Sequence, residues 1–499
     1  MNLASPPHPA LSTEHSALSP RQWLLLICLF LLSLPAVTPR IYSSDEIQYF
    51  AYLRSIWFDR DLSFENEYQY FYDRGISKSD GFHETFLERT TDTGRRINFG
   101  TIGCAILWSP FYLAGDVVAR RTGAPVDGFS KPYVAAIAYG SAVYGFLALV
   151  LAVKCAERLG LNGFGGGLAV WLGTPILFYM YLAPPFSHAC SAFGVALFTY
   201  VWLRVRDEWP IRGLVALGAA GALMAMVREQ DFFFGFGPAL DFGLWAFGGV
   251  RQRPQSPQSP QSLKPNAQSL IARAAAAAAA FAVCFAPQAA AYVTLNGHLG
   301  PHASVAHKMN WRAPHALEVL FSPEHGFFVW TPLALLALSG LAWLVLPPIG
   351  GSHGIDEQPP APGSVASAFR RQRQVGVCVL LMVALQIYVG GSVESWTVAG
   401  AFGQRRFIAL TAALVIGYAA AAAAVRASPF ARHTLTAVTV LAVYWNLALS
   451  AEFSVGLMDR QRLEPRRNAY DAFVTLPGMA PSLIYRYLFD RGSFYKHGP

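Results

Sequence analysis

The chain is short of charge. Only 14% of its 499 residues are Asp, Glu, Lys or Arg, against about a quarter in an ordinary soluble domain. Cysteine is scarce too. Cys28, Cys104, Cys155, Cys190, Cys284 and Cys378 lie in or beside apolar stretches, and no two form a CxxC or take metal-ligand spacing. This argues against a dithiol redox motif or a zinc site and leaves them as small apolar packing residues. No Walker A and no GxGxxG sequence is present, so nothing supports a bound soluble nucleotide. A good cleavable signal is also missing. Residues 1–20 are polar and Pro/Ser-rich, only Arg21 precedes the run Trp23–Leu34, and Ser33-Leu34-Pro35-Ala36 is a poor cleavage site. An uncleaved first membrane helix is expected instead.

What abounds is hydrophobic sequence, at 54% of residues. It comes in repeated runs of about 17–25 residues, the length that crosses a hydrocarbon core. The runs fall near 22–38, 132–153, 166–182, 187–203, 212–228, 232–249, 270–293, 326–347, 375–390, 407–425 and 433–450. A soluble fold rarely needs so many, and 12 Trp and 21 Tyr suit two water–lipid interfaces. The expected fold class is all-α: a polytopic integral membrane protein of about 11 transmembrane helices. Its long first outer loop holds an amphipathic helix.

A twelfth run, 101–119, contains Pro110 and Asp116, and Trp108, Phe111 and Tyr112 give it an interfacial character. Loop charge decides its place. If it lies on the outer surface or re-enters it, Lys154, Arg158, Arg204, Arg206, Arg212, Arg251, Arg253, Lys264, Arg273, Arg370, Arg371, Arg373, Arg426 and Arg432 all fall on the cytoplasmic side. If it spans, they all move outside. Eleven spans follow, with the N-terminus in the cytoplasm and the C-terminus out. The net charge of +8 is then a topological signal, and no nucleic-acid partner is expected.

This divides the chain into an N-terminal membrane region 1–250, a cytoplasmic linker 251–269, C-terminal membrane helices 270–450 interrupted by a cytoplasmic linker 348–374, and an outer tail 451–499. The linkers are low-complexity: residues 253–268 repeat Pro-Gln-Ser, and 350–368 are Gly/Pro/Ser-rich. The outer loop 40–131 carries 13 of the 30 acidic residues, and Tyr49, Leu53, Ile56 and Trp57 recur in it at helical spacing. That is the pattern of a helix lying on a membrane surface.

Asp45-Glu46 follows Ser43-Ser44 directly after the first span. One reading is local: Ser43 or Ser44 caps the surface helix and the carboxylates favour its positive end. The other is a general base held near lipid, where partial desolvation makes a carboxylate more basic. Arg228 ends the span 212–228 beside Glu229 and Asp231. It is either paired with one of them or placed for a ligand. Arg405-Arg406 form a basic pair on the outer side, against the charge trend, and phosphate binding explains them better than lipid headgroups. His188 opens a span and is either an interfacial histidine or a substrate contact. Glu324, His325, Glu394 and Trp396 are candidates to line a cavity above the membrane, with Trp suited to a sugar ring. His298, His302, His307 and His315 match no standard ligand spacing, so no metal is expected.

Ser44-Asp45-Glu46-Ile47-Gln48-Tyr49 resembles the acidic motif in the first outer loop of the GT-C superfamily of membrane glycosyltransferases. Gly103-Cys104-Ala105-Ile106-Leu107-Trp108-Ser109-Pro110-Phe111 resembles the surface helix that follows it. The superfamily includes the protein O-mannosyltransferases and the aminoarabinose transferase of lipid A. The likeness covers about the first 250 residues and the general layout. It implies transfer of a sugar from a polyprenyl-phosphate donor to an acceptor hydroxyl on a glycan, lipid or protein, without cofactor, at the outer face of the inner (plasma) membrane. Asp45 would be the base and Glu46 the neighbour that holds its geometry, with inversion at the anomeric carbon. The family often has a second acid at the outer start of a later span, and His188 stands there instead. The rival readings are a transporter or flippase for a lipid-linked or polar substrate, although no internal repeat is evident, and a non-catalytic scaffold.

Overall fold

The computed structural model describes residues 17–248, 266–346, 365–398, 400–490 and 493. The two expected linkers, 251–269 and 348–374, lie largely outside these residues. Among the described residues the chain is helical throughout, with isolated bridges at Thr90–Arg96 and Met309–Val393 and no strands.

Six helices are long and apolar enough to cross a membrane: Lys131–Arg158, His188–Val205, Ala267–Asn296, Arg370–Ser392, Arg405–Ala424 and Pro429–Val455. Shorter apolar helices occupy Pro20–Ala36, Phe164–Gly173, Ile211–Val227 and Leu333–Val345. The expected span 232–249 is helical over Phe236–Gly248. This is the architecture of a helical membrane protein. Residues 166–182 do not form one rod. Thr174-Pro175 splits them into Phe164–Gly173 and Ile176–Tyr181, because proline lacks an amide proton and biases the residue before it away from helix. The run 101–119 is a single helix, Gly103–Thr122, and is not among the six.

The helices used below are α1 (Pro20–Ser33), α2 (Ser44–Arg54), α3 (Gly103–Thr122), α4 (Lys131–Arg158), α5 (Ile176–Tyr181), α6 (His188–Val205), α7 (Ile211–Val227), α8 (Phe236–Gly248), α9 (Ala267–Asn296), α10 (Leu333–Val345), α11 (Val365–Ser392), α12 (Thr411–Ala424) and α13 (Pro429–Val455). Close pairs include α7 with α9, α10 with α12, and α4 with α6. Small residues permit this. A Cβ on Gly340 would sit 1.9 Å from the Gly417 carbonyl, so α10 and α12 touch backbone to backbone, the device by which helices associate in lipid. On α1, Leu24, Leu25, Leu31 and Leu32 stay exposed, as suits a surface facing lipid.

Residues 41–137 build a second core beside the main bundle, made largely of Ile47, Phe50, Tyr52, Phe64, Tyr68, Trp108 and Tyr112. Within it the stripe Tyr49, Leu53, Ile56, Trp57 divides. Ile47, Phe50, Ala51, Tyr52 and Leu53 are buried, whereas Ile56 and Trp57 are exposed beyond the end of α2. Neighbouring loop segments cover α2 on several sides, so a single-face pattern does not describe it. A Cβ on Gly103 would stand 2.4 Å from the backbone of Met226 and Val227, so only glycine lets α3 begin against the end of α7.

The bundle has two polar ends. At one, Leu18 N donates to Glu157 (2.7 Å), Arg158 to the Leu203 carbonyl (3.1 Å) and Arg206 to Asp241 (2.9 Å). The basic residues read as cytoplasmic that these bonds involve gather here. The other end carries the segment after α1, the starts of α2, α6 and α12, and the end of α7.

Candidate functional site

Construction starts at Ser43. Its extended backbone (φ −124°, ψ 156°) makes it the N-cap of α2, and its side chain accepts from Glu46 N. Glu46 reaches back, and its Oε2 accepts from Tyr42 N (2.7 Å) and Ser43 N (3.0 Å). This reciprocal capping box fixes the turn Tyr42–Asp45. Ser43, not Ser44, is the cap. Glu46 is completely buried, and desolvation outweighs its two amide bonds and pushes its carboxyl up to about 8. It therefore fixes the start of α2 and the turn that leads into it.

Asp45 is one residue away and faces the opposite environment. Its Oδ2 meets Arg405 Nη1 at 2.8 Å, with 39% of its side chain exposed. Both border a cavity of about 170 Å³ whose walls include Tyr42, Phe178, Tyr179, Phe186, Phe402 and Phe453. Arg405 reaches it through a backbone manoeuvre. Gly403 adopts φ 61°, and a Cβ there would meet Pro175 at 2.8 Å, so glycine lets the segment pass over the start of α5. The Phe402 amide then donates to the Tyr179 hydroxyl (3.1 Å).

Behind this pair lies His188, buried at the first turn of α6. Arg228 Nη1 contacts its Nδ1 at 3.2 Å. An arginine only donates, so Nδ1 accepts and Nε2 carries the ring proton. That Nε2 is buried with no partner among the described residues. Arg405 and Arg406 are also within electrostatic reach of the ring. Arg406 is anchored by the Ser395 carbonyl (2.9 Å) and hydroxyl (3.1 Å). Arg228 is ion-paired to neither acidic neighbour. Glu229 accepts from the Tyr292 hydroxyl, and Asp231 accepts from Ser191 (2.6 Å). Burial raises the Asp231 carboxyl to about 6.

The structure thus brings Asp45, His188, Arg228, Arg405 and Arg406 together. It does not bring the other candidates to the cavity. Glu324 and Glu394 are exposed, and Trp396 stacks on His315 at 5.3 Å. His325 is fully buried against Trp330 (4.7 Å), with its Nε2 donating to the Ala401 carbonyl (2.8 Å). Burial lowers its pKa to about 4, and it supports the cavity wall from behind. Among the described residues no three His, Cys, Asp or Glu side chains gather as metal ligands. The aromatic walls were missed in the sequence. A larger cavity, about 230 Å³, opens between α6, α7, α8 and α9, lined by Phe198, Leu214, Phe242, Ala277 and Phe281. It lacks titratable groups.

Fold and site together define a helical membrane protein with an ion-paired, aromatic-walled cavity among its helix ends. No protein-family model matches the chain, and no curated protein matches it either.

Proposed function

We propose that the chain is a membrane glycosyltransferase of the GT-C kind. It moves a sugar from a polyprenyl-phosphate donor to an acceptor hydroxyl, at the extracytoplasmic face of the inner membrane. The supporting observation is the Asp45–Arg405 pair at the cavity wall, backed by Arg228, Arg406 and His188. Glycosyl transfer from a lipid phosphate needs a base for the acceptor and positive charge for the leaving group, and this cluster holds both.

Asp45 takes the proton of the acceptor hydroxyl. The oxygen attacks the anomeric carbon on the face away from the phosphate. The anomeric C–O bond breaks and its electron pair leaves on the phosphate oxygen, where the guanidiniums stabilise the added charge. A positioned base of this type contributes about 10²–10⁴ in rate. The charge balance favours an anionic substrate. Three guanidiniums act on His188, while the one carboxylate in ion-pair contact with any of them is Asp45, among the described residues. Surplus positive charge in a part-buried site is costly until an anion joins it. A transporter of neutral solutes has no use for that surplus.

The test is transfer by purified protein from a panel of polyprenyl-phosphate sugars, with Asp45→Asn as control. Transfer from one donor, abolished in Asp45→Asn while the protein still folds, is the expected result. Full activity in Asp45→Asn sinks the assignment. Movement of labelled donor across proteoliposomes without transfer assigns the chain to the flippases.

A further inference from the structure

Two arginines outside the set used so far lie against rings that wall the same cavity, behind its lining. The Arg460 guanidinium lies 4.9 Å from the ring centroid of Phe453, and that of Arg40 lies 5.8 Å from that of Tyr42. Arg405 repeats the arrangement over Phe186 at 5.4 Å. Phe453, Tyr42 and Phe186 are all walls of the 170 Å³ cavity, so three of its aromatic walls each carry a cation.

Neither of the new arginines hangs on a loose end. Leu463 N donates to the Pro323 carbonyl (2.9 Å), and Met458 and Leu463 are buried, so the turn bearing Arg460 is pinned to the protein. Thr38 N donates to the Tyr181 carbonyl (2.8 Å) and Ile41 is buried, which pins the turn bearing Arg40. The charge of Arg460 reaches Tyr42, and Arg40 stacks on that same ring. Arg460 forms no ion pair among the described residues.

Planar guanidiniums backed by rings suit a carboxylated sugar. The forked donors match a carboxylate, and the ring faces offer apolar surface to a pyranose. Arg228, Arg405 and Arg406 are the cations assigned to the donor phosphate, which leaves Arg460 and Arg40 for a second acidic group. We propose that Arg460 and Arg40 form a binding site for an acidic glycan, a saccharide carrying a uronate-type carboxylate. The proposal rests on the glycosyltransferase reading to the extent that it makes this saccharide the acceptor. Its hydroxyl gives its proton to Asp45 and receives the glycosyl group as the lipid phosphate departs.

The experiment measures binding to the full chain in phosphatidylcholine nanodiscs by saturation-transfer NMR. The probes are trigalacturonic acid and its methyl ester, in which each carboxylate charge is replaced by a neutral methyl ester. The acid should bind about tenfold more tightly, the worth of a charge-assisted contact. Arg460→Gln should erase the difference and Arg460→Lys should keep part of it. Equal binding of acid and ester, or an unchanged preference in Arg460→Gln, overturns the proposal. So does loss of the preference when phosphatidylglycerol is added, which assigns the arginines to lipid headgroups. Farnesyl phosphate binding in the same samples shows that the variant is folded; if Arg460→Gln does not fold, Arg40→Gln carries the test. Farnesyl phosphate also separates the two readings: if its affinity ignores Arg405→Gln while the uronate preference persists, the donor assignment fails and the glycan site stands.

Discussion

Under the proposed function, Asp45 and the donor phosphate compete for Arg405. The guanidinium is already engaged by the carboxylate at 2.8 Å, and a phosphate that takes it must displace or crowd Asp45. Removing the charge of Asp45 should therefore tighten phosphate binding even as it abolishes transfer. Two unit charges about 4 Å apart interact by about 4 kcal/mol at an effective dielectric of about 20. The pair is part-exposed, 39% at Asp45 and 22% at Arg405. Exposed pairs are worth about 0–1 kcal/mol, so a value near 1.5 kcal/mol is reasonable between the limits. That is about tenfold in affinity.

Asp45→Asn is the right perturbation because it keeps the shape and leaves an amide oxygen for Arg405. Titration of farnesyl phosphate into protein in nanodiscs, followed by calorimetry, should give about tenfold tighter binding in the variant. Arg405→Gln should weaken binding in either background. The two signs together are diagnostic, since a simple loss of structure lowers both affinity and turnover. Unchanged or weaker binding in Asp45→Asn refutes the competition and, with it, the placing of the phosphate at Arg405.

Glu46 should make stability depend on pH. Below pH about 4.5 its carboxyl is protonated in folded and unfolded chain alike. Between that pH and about 8 only the unfolded chain ionises, so stability falls as pH rises through the window, by up to about 5 kcal/mol, and levels off above it. Glu46→Gln keeps an acceptor for the Tyr42 and Ser43 amides, so its thermal midpoint should be flatter with pH; a wild-type slope in the variant would exclude Glu46 as the source. At the other end of the bundle, Asp241 is buried and bound by Arg206 through two bonds of 2.9 Å. Asp241→Asn should cost about 3–5 kcal/mol by stranding Arg206, read as a lowered unfolding midpoint in detergent; an unchanged midpoint removes this pair from the fold's essential contacts.

Which residues were legible in the sequence follows from what kind of signal each one sends. Asp45, Arg228 and Arg405 stood out as ions close to the ends of apolar runs. Such signals survive translation into structure because membrane helices fix the depth of their own ends. Glu324 and Glu394 were chosen by side alone, and side does not give direction; both are exposed away from the cavity. Phe178 and Phe453 send no signal, since an aromatic residue in an apolar run reads as core or lipid face until tertiary packing turns it inward. The stripe on α2 told only part of the packing: periodicity reports one neighbour, and α2 has several.

The two polar ends of the bundle differ in a way that separates scaffold from site. Around Asp241, Arg206 binds both carboxylate oxygens, Trp202 donates at 2.8 Å and Gln374 at 2.7 Å. That network is closed, and closed buried networks fix structure. Around His188 the accounting is left open. His188 Nε2 is a buried donor without a partner among the described residues, and the cations outnumber their ion-paired anions. Native proteins leave few buried polar atoms unsatisfied, so an orphan ring donor beside cations without ion-paired anions calls for a cause that the scaffold does not supply. A ligand supplies it: the anion that balances Arg228, Arg405 and Arg406 brings acceptor oxygens for their donors and for the His188 Nε2 proton. On this argument the open end is the working end, and Asp45 is the charge that holds Arg405 until that ligand arrives.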